Sequence, residues 1–159
     1  MRRIIGVLAL ALVLVLGNLS LASATADSRD HARTQTLRLN ATTVDFAFLD
    51  LGSPGESIGD QFVGTDDVTQ NGHAAGEAHL SCTFMRRAGT AATFQCSGVL
   101  VLHKGQIAAQ GVPVFVDGQL TRFSLAVTGG TGAYRTAHGQ LRTVETSPTE
   151  RQITVSLVL

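Results

Sequence analysis

Two cysteines, five histidines and a pair of adjacent aspartates are the first candidates in this chain for a bridge, a metal site or an acid–base pair. Cys82 and Cys96 flank a turn signal, Ala88-Gly89-Thr90. With that tripeptide as a hairpin loop, Arg87 faces Ala91, and antiparallel pairing carries Cys82 directly opposite Cys96 on one sheet face. Cross-strand Cβ atoms lie about 4.5–5.5 Å apart, close enough for a disulfide after small adjustment. Closing this 15-residue loop would stabilise the fold by roughly 3 kcal/mol in the chain-entropy model. His31, His73, His79, His103 and His138 show no ligand spacing, so they read as surface or loop residues and no metal site is expected. Asp66 and Asp67 are neighbours in a strand-type run; successive strand residues point to opposite faces, so the pair cannot share a site without a bulge and reads as a solvated turn.

Val127-Thr128-Gly129-Gly130-Thr131-Gly132 has the look of a dinucleotide-binding turn, but Arg135 stands where the third glycine belongs and too little chain follows for a βαβ series. No Gly-Lys-Ser/Thr follows it either, and no Gly-x-Ser-x-Gly elbow occurs elsewhere. No nucleotide or metal is therefore expected.

The elements that must position these residues begin after an export signal. Arg2 and Arg3 precede an apolar run from Ile4 to Leu16, too short to span a bilayer, and small-residue cleavage patterns follow at Ala22-Ser23-Ala24 and Ala24-Thr25-Ala26. Residues 1–24 read as a cleaved signal peptide, which makes the protein secreted, with no membrane association after cleavage, and places the cysteine pair in an oxidising compartment. The remaining 135 residues suit one domain and carry a formal charge of about −2 with no basic patch, so nucleic acid is not an expected partner.

Residues 25–35 form a polar lead-in, and residues 36–159 form the domain. Eight β-type runs occur, at roughly 36–49, 59–68, 75–86, 91–103, 106–116, 120–128, 133–145 and 150–159, separated by Gly, Asp and Asn clusters. Ile153, Val155, Leu157 and Leu159 alternate with Gln152, Thr154 and Ser156, and Phe123, Leu125 and Val127 repeat the pattern. The expected fold is all-β: an eight-stranded antiparallel up-and-down β-barrel of lipocalin or calycin type, which leaves no exposed edge. A sandwich satisfies the same alternation. At eight strands a barrel interior is either packed or holds one small ligand.

Over about residues 42–146 the chain resembles the allene oxide cyclase and dirigent protein barrel superfamily. The resemblance is carried by Gly105-Gln106-Ile107-Ala108-Ala109-Gln110-Gly111, by Phe123 through Tyr134 with its Gly129-Gly130-Thr131-Gly132 core, by Gly139-Gln140, and by Gly59-Asp60. These glycines have a physical reading of their own, as places where one strand turns into the next at positive φ or close backbone approach, which makes them a mark of fold. The resemblance implies an eight-stranded barrel without metal or organic cofactor that shapes an apolar ligand, as the cyclases guide ring closure of a reactive lipid and dirigent proteins steer coupling of phenoxy radicals.

Val44 through Pro54 is similar to the strand and loop that carry much of the cyclase site. The resemblance implies catalytic roles for Asp45, where the family has a glutamate, and for Ser53 and Pro54, with Ala47 standing in place of an asparagine. It also aligns Cys82 with a pocket cysteine, a role that excludes the disulfide at any one time. Alternation sets Asp45 opposite Val44, Phe46 and Phe48 and so points it outward, whereas the resemblance points it inward; a ligand inside and a second subunit outside, hence a homo-oligomer, would reconcile the two. The expected function is that of a secreted, cofactor-free isomerase or cyclase-type barrel that binds a hydrophobic small molecule and steers its ring closure or coupling. The alternative is a non-catalytic binding or templating barrel of dirigent type. A titratable group facing the cavity would separate them.

Overall fold

The computed structural model describes residues 33–120 and 122–159; the expected signal peptide and nearly all of the polar lead-in lie outside them. Nine strands follow in order: β1 Thr34–Leu49, β2 Gln61–Gln70, β3 His73–Ala88, β4 Ala91–Leu102, β5 Gly105–Gly111, β6 Val114–Val116, β7 Arg122–Gly130, β8 His138–Glu145 and β9 Glu150–Val158. Eight of them close antiparallel, each on its chain neighbour, and β9 completes the ring on β1. These eight strands thus form the closed up-and-down barrel that the alternation implied, a ring without free edges.

Two of the expected runs divide. The run read as 106–116 breaks at Pro113, which has no N–H for the ladder, so β6 continues beyond it as a short strand on Ala91–Thr93 of β4. The run read as 133–145 opens with a 3₁₀ turn, Gly132–Tyr134, before β8 begins. β1 starts at Thr34, inside the stretch read as lead-in, because Thr34–Leu37 pair with β9.

Parity decides the interior. Leu37, Leu39 and Ala41 of β1, Ile107 and Ala109 of β5, Leu125 and Val127 of β7, Leu141 of β8 and Ile153, Val155 and Leu157 of β9 point inward and pack as one core. Each fully buried aliphatic side chain of this kind contributes about 1.5–3 kcal/mol. That core fills the barrel end at which β1 begins and β9 finishes, and buried Tyr134 and Ala137 close it.

The glycine cluster secures this closure. A Cβ on Gly130 would come within 2.4 Å of the Gln106 carbonyl oxygen, and Gly132, at φ +59°, would bring one within 2.5 Å of the Lys104 carbonyl oxygen. The turn after β7 therefore lies directly against the start of β5, where its backbone bonds to Lys104 and Gln106. Only residues without a side chain permit that approach.

Candidate functional site

At the other end the strands splay into an open cup. Its residues follow from the same parity, carried one step past each apolar row. On β2, Val68 points inward and so does Asp66; on β9 Arg151 continues Ile153 and Val155; on β8 Glu145 continues Leu141 and Thr143; on β1 Thr43 continues Leu39 and Ala41. The cup they reach has a volume of about 420 Å³. Its walls are Phe46, Phe62, Leu80, Phe115, Leu120, Phe123 and the Cys82–Cys96 disulfide.

A β-bulge sets the lip. Between Thr43 and Asp45 the β1–β2 register slips by one residue, so that Thr43 pairs with Asp66, while Phe46 pairs with Gly64 and Phe48 with Phe62. The bulge reverses which parity of β1 faces inward. Phe46 and Phe48 therefore lie on the inner side of the lip, largely exposed at the mouth. Across it Phe62 stacks toward Phe46, Phe94 and Phe115, with ring centroids 5.9, 5.4 and 6.0 Å apart, and Phe94 lies 4.8 Å from Phe115. Phe115 is carried over the opening by a tight hairpin whose turn residues, Asp117 and Gly118, both have positive φ.

The floor is polar and internally matched. Arg151 donates from Nη1 to Asp66 Oδ2 at 3.2 Å and from Nη2 to Thr43 Oγ1 at 2.6 Å. The Thr43 hydroxyl in turn donates to Asp66 Oδ1 at 2.9 Å. Both carboxylate oxygens of Asp66, only 5% exposed, are thereby occupied. Glu145 faces Arg151 across the β8–β9 pair. Burial pushes its carboxyl above the ordinary carboxylate range, and the Arg151 charge opposes that rise without cancelling it.

Asp45 is placed elsewhere. It pairs with Thr65 on the outer face of the barrel and is exposed, because the bulge that turns Phe46 inward turns Asp45 out. Alternation gave its direction; the inward position implied by the resemblance is not what the structure has. Ser53 and Pro54 lie in the exposed loop between β1 and β2, outside the cup. That loop is held by Asp60, fully buried, whose carboxylate accepts the backbone N–H groups of Leu51 and Ser57 at 2.9 and 2.6 Å and the Ser57 hydroxyl at 3.1 Å. The Ser57 N–H is the chief cause holding the Asp60 carboxyl below its ordinary value, against the effect of burial.

Cys82 and Cys96 are bonded and directly opposed, but not through the expected hairpin: Ala88 pairs with Ala91 around a two-residue turn and Arg87 faces Ala92, and a register slip between Phe84 and Arg86 then brings the cysteines opposite each other. The bridge and the pocket position, read as alternatives, coincide: both cysteines lie in the cup wall as one disulfide. Asp66 corrects the reading of a solvated turn, since it is buried in the middle of β2 while Asp67 is exposed on the other face. Histidines 73, 79, 103 and 138 are exposed, as expected.

A larger concavity, about 780 Å³, runs along the outside of the barrel past Asp45, Thr65, His79 and Gln110. It is an open trough floored by short side chains of a sheet's outer face. The smaller cup is the better ligand site because it is enclosed, mainly apolar, and has polar groups converging at its base.

Residues 34–159 match the model of the allene oxide cyclase barrel-like domain. No curated protein sequence matches the chain significantly. Among solved structures the chain is similar to a pyocyanin demethylase, at 25% identity and a TM-score of 0.69 over 78% of this chain and 100% of that one. It is also similar in fold to the Diels-Alderase AbmU from Streptomyces koyangensis (15% identity, TM-score 0.64, 82% of this chain and 71% of that one). A pterocarpan synthase dirigent protein shares the fold at 13% identity and a TM-score of 0.63, over 85% of this chain and 93% of that one.

Proposed function

Because the chain belongs to the allene oxide cyclase barrel-like family, we propose that it is an exported barrel whose cup binds an apolar small molecule and steers that molecule's ring closure, an isomerisation that neither adds nor removes atoms. The observation that carries this reading is the polar floor of an otherwise apolar chamber, where Asp66, Arg151 and Thr43 fix one another's geometry beneath phenylalanine walls. Those walls exclude water and hold a flexible molecule folded, which converts a rare conformer into the bound one. The floor supplies a fixed dipole against which a polar end of the molecule orients. Glu145, raised above the usual carboxylate range at the mouth, is the group suited to take or return a proton as the ring closes. The structural neighbour at 25% identity acts on pyocyanin, which supports a small-molecule ligand here as well.

A second reading, a templating barrel without chemistry of its own, is favoured by one fact: both Asp66 oxygens are already occupied, so the floor of the cup binds without offering a group to move a proton.

The test of the cup is titration of the exported chain with an environment-sensitive hydrophobic dye. Gly64 lines the cup, and a Cβ there meets neighbours only at 3.5 Å or more, so Gly64→Leu fills the chamber without straining the backbone. The native protein takes up dye and Gly64→Leu does not. Equal uptake by both would move the ligand site out of the cup. Once a cyclising substrate is in hand, Glu145→Gln separates the two readings: loss of turnover marks an isomerase, unchanged product formation a template.

A further inference from the structure

We propose that the ligand is a cation, a conjugated and largely apolar molecule bearing one delocalised positive charge, held in the cup by Glu145 and by phenylalanine faces. The inference rests on the cup being the ligand site and adds the charge that the site selects.

Three ionisable side chains face the chamber, two carboxylates and one guanidinium. The guanidinium is committed to the floor, since Arg151 spends Nη1 on Asp66 and Nη2 on Thr43. Asp66 and Arg151 therefore neutralise each other. Glu145 stands across the strand pair from Arg151, and among the described residues no side chain hydrogen-bonds to its carboxylate. Ionised, it gives the cup one negative charge in excess. An anionic ligand would be repelled by that charge, a neutral one would gain nothing from it, and a cation matches it; Glu145 is exposed at the mouth, where a bound ligand covers it.

The walls select the kind of cation. The chain has seven phenylalanines, at positions 46, 48, 62, 84, 94, 115 and 123, and all of them lie in the open half of the barrel. Aliphatic side chains, which fill the closed half, would supply the same apolar area. Aromatic faces add a negative quadrupole that attracts a positive charge within about 6 Å of the ring centre. A compact ammonium would lose its hydration on entering such a chamber, whereas a charge spread over a ring system is weakly hydrated and loses little. A volume of about 420 Å³ holds a frame of two or three fused rings.

Three tricyclic probes of matched shape test this: 10-methylacridinium as the cation, acridine as the neutral form at a pH where it is unprotonated, and anthracene-2-sulfonate as the anion. Fluorescence titration of the exported chain should give the cation about tenfold tighter binding than acridine, with the sulfonate weakest. Glu145→Gln should lower the cation-to-neutral ratio severalfold, leaving only the part that the phenylalanine faces supply. Acridine or the sulfonate binding as tightly as the cation would overturn the charge preference, as would a ratio left unchanged by Glu145→Gln. In that case loss of all binding in Gly64→Leu would still keep the cup as the ligand site. If none of the probes binds the native protein, the cup reading falls and the inference falls with it.

Discussion

The closed and open halves of this barrel are made from the same eight strands but from different side chains. The closed half interlocks aliphatic residues, Leu37, Leu39, Ile107, Val127, Val155 and Leu157, and ends in a glycine turn packed backbone to backbone. The open half holds every phenylalanine, the disulfide and the buried ion pair, and leaves a cavity among them. A small barrel keeps an empty chamber in this way: dense packing at one end sustains the fold, so the other end is free to remain unfilled and to carry charge.

The largest effects should come from the ion pair, and they distinguish a group kept for stability from one kept for a ligand. Arg151→Met leaves Asp66 buried without its partner and should cost about 3–5 kcal/mol in urea unfolding. The double change Asp66→Leu with Arg151→Met removes both charges and should recover most of that loss while leaving the cation preference that Glu145 supplies. A double variant as unstable as the single one would mean that the floor belongs to the core after all, and the contrast between halves would fail.

Core truncations come next. Ile107→Ala, in the closed half and with no exposed surface, should cost about 2–5 kcal/mol. Phe62→Ala, at the half-buried wall of the cup, should cost about 1 kcal/mol and instead weaken dye uptake, because the cavity beside it is already open. Equal losses of stability from the two would show that the phenylalanines pack as a second core. Reduction of Cys82–Cys96 should lower stability by roughly 3 kcal/mol, again with a fall in ligand uptake, since the bridge ties β3 to β4 where they form the wall. Loss of stability with unchanged uptake would place the bridge in service of the fold alone.

The two halves also differ in how far they could be read from the sequence. The closed half was legible because it obeys a single rule: alternation on β7 and β9 and the glycines at 129, 130 and 132 announce strands, faces and turn without tertiary information. The disulfide pairing was legible although the hairpin beneath it was not: a two-residue turn plus a slip between Phe84 and Arg86 gives the same opposition of Cys82 and Cys96 as the three-residue loop that was expected. The cup was not, because its residues break local rules. Asp66 beside Asp67 has the composition of a turn, and Glu145 and Arg151 border the β8–β9 connection, where charge reads as solvent exposure. One signal was present: Thr43, Asp66, Glu145 and Arg151 are each the next inward position beyond an apolar row. A polar residue in phase with the core, rather than out of phase, is what marked the floor. The bulge after Thr43 showed only as a change of apolar parity, from Leu37, Leu39 and Ala41 to Phe46 and Phe48, and it is the bulge that sends Asp45 outward.

The smallest effect expected concerns the loop that borders the mouth, and it tests whether charge in the open half also holds backbone. Asp60 accepts the Leu51 and Ser57 amides and the Ser57 hydroxyl, and these bonds favour its ionised form, so its carboxyl titrates below the ordinary value of 3.8. A group whose folded value is lowered contributes stability that is complete above the unfolded value and is lost as the pH falls through the folded one. The loop should therefore stay fixed on acidification to 3.8 and loosen only below it. Amide chemical shifts of Leu51 and Ser57, followed by NMR against pH, report this directly, with Ile107 in the closed half as the reference that should not move in the same range. A transition at or above 3.8 would show that Asp60 gains nothing from its three donors, and that the loop is held by its neighbours rather than by the buried carboxylate.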